Sequence, residues 1–132
     1  MYLTKYIKIL LFVSLLWATP VGLTESASTS FNLDIDNDGT TQALTDGLLV
    51  LRYLFGFQGT SLVENAVSTG ATRTAATDIK DYLDSNNSLL DLDGNGQTDS
   101  LTDGLLLLRY LFGFSGQSLI EAALSPSLSS CR

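Results

Sequence analysis

The chain has 132 residues, 45% of them hydrophobic and 16% charged, which is the composition of a folded chain with one domain or two small repeats. Its formal net charge is −7, from 14 acidic and 7 basic residues, and this argues against nucleic acid and anionic membrane as partners, since both require a basic surface. The chain has no histidine, which excludes a Ser-His-Asp or Cys-His catalytic pair, and its single cysteine, Cys131, cannot form an internal disulfide.

The N-terminal segment has the three parts of a secretory signal peptide. Two lysines precede an almost wholly apolar run at 9–17, and small and polar residues follow a proline. A membrane anchor, the alternative, would need about 20 apolar residues. We therefore predict a signal peptide at 1–26, cleaved after Ser26 or Ala27, a short linker at 27–32, and a secreted protein, either extracellular or periplasmic.

The first predicted element after this linker is an acidic loop, Asp34-Ile35-Asp36-Asn37-Asp38-Gly39. Oxygen ligands at positions 1, 3 and 5, with glycine at position 6 for a sharp turn, open an EF-hand calcium loop, and position 7, here Thr40, gives a backbone carbonyl. An EF-hand closes with a carboxylate at position 12. Here position 12 is Thr45 and the carboxylate follows at Asp46, so either the loop is one residue longer or the closing ligand is offset.

A helix is predicted from about Asp46 to Phe55, with Thr45 as its N-cap and Gly56 at its C-terminal stop. Its leucines cover more than one face, so it must be buried on most sides. The sequence Ser61-Leu62-Val63-Glu64 fits a capping box, which predicts that a short helix starts at that serine.

Another short helix is predicted from Thr77 to Leu83, followed by a linker at 84–89 that is rich in serine and asparagine. No segment shows the sustained alternation of a strand.

From residue 90 the chain repeats itself at a constant offset of 57 residues, which is the separation of Asp34 and Asp91. The second loop, Asp91-Leu92-Asp93-Gly94-Asn95-Gly96, is followed by the carbonyl of Gln97. The second long helix is predicted from Asp103 to Phe112, with Thr102 as its N-cap. The corresponding short helix is predicted to start at Ser118, and Asp99, at position 9 of the loop, is an additional candidate ligand.

Alternating aspartates before a helix also occur as simple polar turns. Two copies at fixed spacing, each with an acid entering the next helix, favour calcium, because a cluster of carboxylates repels itself and a bound cation removes that repulsion. We predict about two calcium ions. The predicted ligands are Asp34, Asp36, Asp38, Thr40 and Asp46 in the first loop, and Asp91, Asp93, Asn95, Gln97 and Asp103 in the second.

An acidic loop and then a helix that begins Leu-Leu and carries Arg-Tyr, repeated twice behind an export signal, resembles the type I dockerin repeat of bacterial secreted proteins. The resemblance covers Leu33 to about Phe57 and Leu90 to about Phe114. It implies calcium in each repeat and docking onto a cohesin domain, often in assemblies that degrade polysaccharides. It also implies partner contacts late in the loops and along the helices, at Ala43, Leu44, Arg52, Ser100, Leu101 and Arg109. For the two arginines, an exposed side chain without a partner is an equal alternative.

The sequence thus predicts an all-α fold. Two EF-hand-like calcium loop–helix repeats, at 33–83 and 90–132, pack as a pseudo-symmetric pair with short extra helices, in one domain at 33–132. The predicted function is calcium-dependent docking without enzymatic activity, because the clustered carboxylates are committed to the loops. Two alternatives stay open: a structural or calcium-buffering protein without a specific partner, and the remnant of a larger polysaccharide-degrading enzyme.

Overall fold

The computed structural model describes residues 31–124 and Pro126. The predicted export signal and Cys131 lie outside the described residues. The described α-helices are α1 (Leu48–Leu54), α2 (Thr60–Val63), α3 (Ala76–Ser85), α4 (Leu105–Leu111) and α5 (Gln117–Ile120). Two π turns, Ala43–Gly47 and Ser100–Gly104, directly precede α1 and α4, and a 3₁₀ helix, Asn87–Leu90, follows α3.

Every regular element in this described part of the chain is helical, so the predicted all-α class is confirmed there. None of these helices has the length and hydrophobicity of a bilayer-spanning segment.

The π turns absorb the extra residue of each acidic loop. In the first, the Gly47 N–H donates to the Gln42 carbonyl at 3.1 Å, five residues back, and in the second Gly104 donates to Asp99 at the same distance. Because a π turn holds one more residue than an α turn, a loop one residue longer than the EF-hand standard still leads straight into a helix. The turn is the same in both repeats, so it belongs to the repeated unit.

The prediction that Thr45 and Thr102 cap the long helices is wrong. The residue before each π turn is instead Gln42 or Asp99, both extended, with φ of −130° and −114°. The threonines lie inside the π turns, because the turns begin earlier than the predicted helices do.

The predicted glycine stops are confirmed. Gly56 adopts φ 81° and donates to the Tyr53 carbonyl at 2.8 Å, while the next residue, Phe57, donates to the Arg52 carbonyl at 2.9 Å. This pair of bonds is the Schellman motif, which needs a left-handed residue at the position of the glycine. The second repeat has the same bonds around Gly113, where φ is 85°.

The short helices begin one residue before the predicted serines, and no capping box forms. Gly59, with φ 56°, and Gly116, with φ 58°, precede α2 and α5, and neither helix has a side-chain cap. The Ser61 hydroxyl instead donates back to the Gln58 carbonyl at 2.7 Å, because the glycine turn places that carbonyl within its reach. The predicted helix at 77–83 is present and slightly longer, as α3.

The two repeats contact each other where the long helices begin. A Cβ atom at Gly104 would lie 2.9 Å from Leu51 Cδ1, and one at Gly47 would lie 3.1 Å from Leu108 Cδ1. Leu51 and Leu108 are equivalent at the offset of 57 residues, so the contacts are reciprocal. The glycine of each Leu-Thr-Asp-Gly stretch therefore permits the close approach of the opposite helix.

Helix α3 completes the core of the first repeat. Its Ile79 and Leu83 side chains are fully buried among apolar side chains of α1, α2 and the first loop. Tyr82 of the same helix stacks on Phe31 with ring centroids 5.8 Å apart, and the Arg73 guanidinium lies 3.9 Å from the centre of the Tyr82 ring.

Candidate metal centre

The first acidic loop brings three carboxylates together. One oxygen from each of Asp34, Asp36 and Asp38 lies within 4.8 Å of the other two. Asp36 is fully buried and Asp34 is 8% exposed. The Asp34 carboxylate accepts hydrogen bonds from the N–H groups of Asp38 at 3.0 Å and Gly39 at 2.9 Å, so the loop backbone folds around its first ligand position.

The turn in each loop depends on left-handed residues. Gly39 has φ 91° and Gly96 has φ 86°, which explains the predicted glycine at position 6. The first loop also places Asn37 at φ 57°, where the second has Gly94 at φ 71°. Asparagine tolerates this region better than most residues, so the two loops reach one backbone path with different residues.

Asp46 fastens the first loop to the helix that follows. Its Oδ1 atom accepts from the N–H groups of Ile35 at 2.6 Å and Asp36 at 3.3 Å. Its Oδ2 atom accepts from the Gln42 N–H at 2.8 Å and the Thr45 hydroxyl at 3.2 Å. Asp46 is 1% exposed, and burial raises the pKa of its carboxyl, although the hydrogen bonds from Gln42, Ile35 and Asp36 oppose that rise. The π turn therefore aims this carboxylate at the backbone of its own loop.

Asp103 occupies the same place in the second loop. Its Oδ1 atom accepts from the N–H groups of Leu92 at 2.7 Å and Asp93 at 3.1 Å, and its Oδ2 atom accepts from Asp99 at 2.8 Å. One of its oxygens also lies within 4.8 Å of oxygens of Asp91 and Asp93, so in this repeat the closing aspartate joins the acidic cluster.

The segment 68–73 covers the first loop. Nothing in the sequence had connected this segment with the site. The Ser68 N–H donates to the Asp36 carboxylate at 2.7 Å, and the Arg73 N–H donates to the Asp36 carbonyl at 2.9 Å. The Arg73 guanidinium also donates to the Ile35 carbonyl. The sequence offered one sign of this contact, an arginine in an otherwise uncharged stretch. It did not indicate which loop that arginine would contact.

Ser68 leaves a buried oxygen beside the first cluster. Its hydroxyl is buried and has no partner at hydrogen-bonding geometry, although it lies close enough to Asp38 to help lower the pKa of that carboxyl. The larger cause of the lowered pKa is the hydrogen bond from the Thr40 hydroxyl, at 2.7 Å. A buried hydroxyl without a partner marks a place for a further polar ligand or an ordered water.

The donor set of both clusters fits a hard divalent cation. The converging atoms are carboxylate oxygens, without a thiolate or imidazole, and calcium takes six to eight oxygens. Within the described residues, no lysine or arginine forms an ion pair with Asp34, Asp36 or Asp38. The residues of each loop can therefore hold one metal ion, and the described part of the chain contains two such places.

The other predicted ligands lie in the same loops. Thr40 donates its N–H to Asp38 at 2.8 Å, and Gln97 donates its N–H to the Asn95 side-chain oxygen at 2.7 Å. The equivalent bonds show that position 5 of each loop turns its side chain in the same direction. Asp99 directly precedes the second π turn, and its N–H donates to the Asp103 Oδ2 atom at 2.8 Å.

The residues that the dockerin resemblance implies for partner contact differ in their surroundings. Leu44 is 68% exposed and Leu101 is 70% exposed, at equivalent places in the π turns. Their neighbours in sequence, Ala43 and Ser100, are half-buried.

The two arginines implied for partner contact are fixed within the protein. The Arg52 guanidinium donates to the carbonyls of Leu62, at 3.1 Å, and Glu64, at 2.7 Å, and Arg109 makes the equivalent bonds in the second repeat. Both arginines thereby tie a long helix to the short helix that follows it.

Comparison with protein-family models, curated proteins and solved structures found no match to this chain. Its function must therefore be argued from its own geometry.

Proposed function

We propose that the protein is a secreted, calcium-binding docking module with one calcium ion in each acidic loop. The observation that supports this most is a carboxylate cluster in each loop. The two clusters share the equivalent pairs Asp34–Asp36 and Asp91–Asp93, 57 residues apart, and differ in their third member. In both repeats a buried aspartate, Asp46 or Asp103, bonds the backbone N–H groups of the loop and so preforms it. A preformed oxygen site needs little rearrangement when the metal binds.

We further propose that the two repeats form an EF-hand-like, pseudo-symmetric pair. The reciprocal contacts of Gly47 and Gly104 with leucines of the opposite helix support this arrangement. Paired EF-hand-like loops stabilise each other when they share a core, so calcium bound in one loop would favour the folded form of the other.

A docking role is favoured over calcium buffering by matched apolar side chains on the surface. Leu44 and Leu101 are 68% and 70% exposed. Phe112 is about as exposed as its counterpart Phe55, and Phe114 is about as exposed as Phe57. Exposed apolar groups that recur in both repeats mark an interaction surface more than chance exposure does. The resemblance to dockerins suggests a cohesin-type domain as the partner, in a system that degrades polysaccharides.

The docking proposal is tested by measuring binding of the chain from Ala27 to a panel of type I cohesin domains by calorimetry. Binding in millimolar calcium that disappears with a chelator, and weakens at least about tenfold in the double variant Leu44→Asp, Leu101→Asp, would support it. The matched control is Asp81→Asn on the exposed side of α3. If the calcium-loaded, folded chain binds no member of the panel, the proposed cohesin partner is wrong and the calcium sites stand alone.

A further inference from the structure

The second repeat carries an apolar groove that the described residues leave open. Its volume is about 350 Å³, and the hydroxyl of Tyr110 is the one side-chain polar group among the residues that line it. Tyr110 is 61% exposed and Leu92, at the rim, is 47% exposed. The lining residues are Leu33, Leu92, Leu106, Leu107, Tyr110, Leu119, Ile120 and Leu124.

The first repeat contains the same surface, and there it is covered. Each lining residue has a counterpart at the offset of 57, and for Leu33 this is Leu90, at the start of the second repeat. Five of the eight counterparts are buried in the hydrophobic core that includes Ile79 and Leu83 of α3, and the other three, Tyr53, Val63 and Val67, are partly buried and pack against that core. The change in exposure is large at the rim, where Ile35 is fully buried and its counterpart Leu92 is 47% exposed. The groove is therefore the second copy of a surface that, in the first copy, α3 occupies.

Helix α3 shows what chemistry the surface accepts. It inserts two aliphatic side chains four residues apart, Ile79 and Leu83, which lie on one face of a helix. The residue after the second, Asp84, accepts a hydrogen bond from the Tyr53 hydroxyl at 2.8 Å. Tyr53 is the counterpart of Tyr110, so the second repeat offers the same donor at the same edge of the groove.

We propose that the groove of the second repeat binds an amphipathic helix of a partner protein, which inserts two aliphatic residues four positions apart and places a carboxylate directly after the second, opposite Tyr110. This goes beyond calcium-dependent docking on a cohesin, because the site, the contacts and the partner class are different. An amphipathic helix laid into an apolar groove is a common mode of recognition.

A second copy of this chain fits the groove less well than another protein does. The Ile79 and Leu83 side chains of every copy are already fully buried in the first repeat, so a copy could donate α3 only by opening its own core. Each copy also carries a formal net charge of −7, and two such chains repel each other.

The test uses α3 itself as the probe. A capped peptide of residues 75–86 is titrated into the isotope-labelled chain from Ala27, in calcium, and followed by nuclear magnetic resonance. We expect saturable shifts at Leu92, Leu106 and Tyr110, with a Kd of about 0.1–1 mM because a short peptide must first become helical. The control peptide carries Ile79→Asp and Leu83→Asp and should give no shifts.

Two variants of the protein locate the binding. Leu92→Asp, at an exposed rim position, should weaken binding at least about tenfold, and Tyr110→Phe should weaken it about fivefold by removing the donor to Asp84 of the peptide. Binding that neither variant changes, or shifts confined to the first repeat, would overturn the proposal. So would the absence of shifts at a peptide concentration well above the expected Kd.

Two further results would assign the groove to another occupant and so overturn the proposal as well. If the peptide binds only after residues 125–132 are removed, this chain's own C-terminal segment fills the groove. If sedimentation shows a dimer that Leu92→Asp dissociates, a second copy fills it. A monomer that binds the peptide with residues 125–132 in place is the result we expect.

Discussion

Replacing Asp46 by asparagine distinguishes two roles of this carboxylate in the first loop: a ligand of the metal ion, and an acceptor that anchors the loop backbone. The side chain keeps its shape, but one of its two acceptor oxygens becomes an NH₂ donor. In the structure both oxygens accept hydrogen bonds, from the N–H groups of Ile35, Asp36 and Gln42 and from the Thr45 hydroxyl. Whichever way the amide turns, its NH₂ group faces backbone N–H donors, two on the Oδ1 side and one on the Oδ2 side, where the Thr45 hydroxyl can turn to accept from it.

The expected cost follows from this count. A buried donor without an acceptor costs about 1–3 kcal/mol, and the amide loses least on the Oδ2 side, where only the Gln42 N–H is left without its acceptor. Asparagine also avoids the burial of a charge, which is the main cause of the raised pKa of Asp46 and offsets part of the loss. We therefore expect Asp46→Asn to lower the free energy of unfolding by about 1–2 kcal/mol without calcium, and Tm by about 4–16 °C.

The assay is urea and thermal unfolding of the chain from Ala27 in the presence of a chelator, followed by circular dichroism. Asp103→Asn should have a similar effect, because Asp103 makes the equivalent bonds, whereas the exposed Asp81→Asn should change stability by less than about 0.5 kcal/mol. If Asp46→Asn leaves the chelated protein as stable as Asp81→Asn does and weakens only calcium binding, Asp46 is a metal ligand and the loop-anchoring argument is refuted.

Three further predictions concern the contacts around the sites. Arg52→Met should lower the free energy of unfolding by about 1–2 kcal/mol in urea, because the carbonyls of Leu62 and Glu64 lose a charged donor, and unchanged stability would refute this role. Arg73→Ala should speed calcium release from one of two sites by about 5–30-fold in stopped-flow mixing with a chelator, because it loosens the cover of the first loop, and a uniform change at both sites would contradict this. Burial and the neighbouring Asp84 raise the pKa of Tyr53 to about 12. The neutral phenol therefore contributes to the free energy of unfolding in full below the ordinary pKa of 10.0, and this contribution should be lost as the pH rises towards 12. Ultraviolet titration of the wild type against Tyr53→Phe checks this value.

The sequence was most informative where one local rule decided the structure. The helix stops at Gly56 and Gly113 follow from a glycine after an apolar run, and the structure forms them as Schellman motifs. The helix at 77–83 follows from its own apolar spacing and appears as Ala76–Ser85. The alternating aspartates predicted acidic clusters, and the structure brings the carboxylates together in both loops.

Prediction failed where two local signals competed or where distant residues decided the outcome. Thr45 is a good N-cap residue by itself, but Asp46, one position later, bonds the Gln42 N–H and starts the helix earlier through a π turn. The one-residue offset of the closing aspartate was visible in the sequence, but its consequence depended on bonds back to the start of the loop. The cover of the first loop by Ser68 and Arg73 was not visible, because no local pattern pairs residues more than 30 positions apart.

The most direct test of the account is the number of calcium ions that the chain from Ala27 binds, measured by calorimetry after removal of metal and followed by thermal unfolding. The account predicts two ions, with Kd values of about 10⁻⁴–10⁻³ M and stabilisation by about 2.7 kcal/mol for each site at a calcium concentration of 100 times Kd. One ion should be lost in Asp36→Asn and the other in Asp93→Asn. No heat and no change in Tm at ten-millimolar calcium, about ten times the upper expected Kd, would show that the paired acidic loops do not bind calcium and would contradict the account.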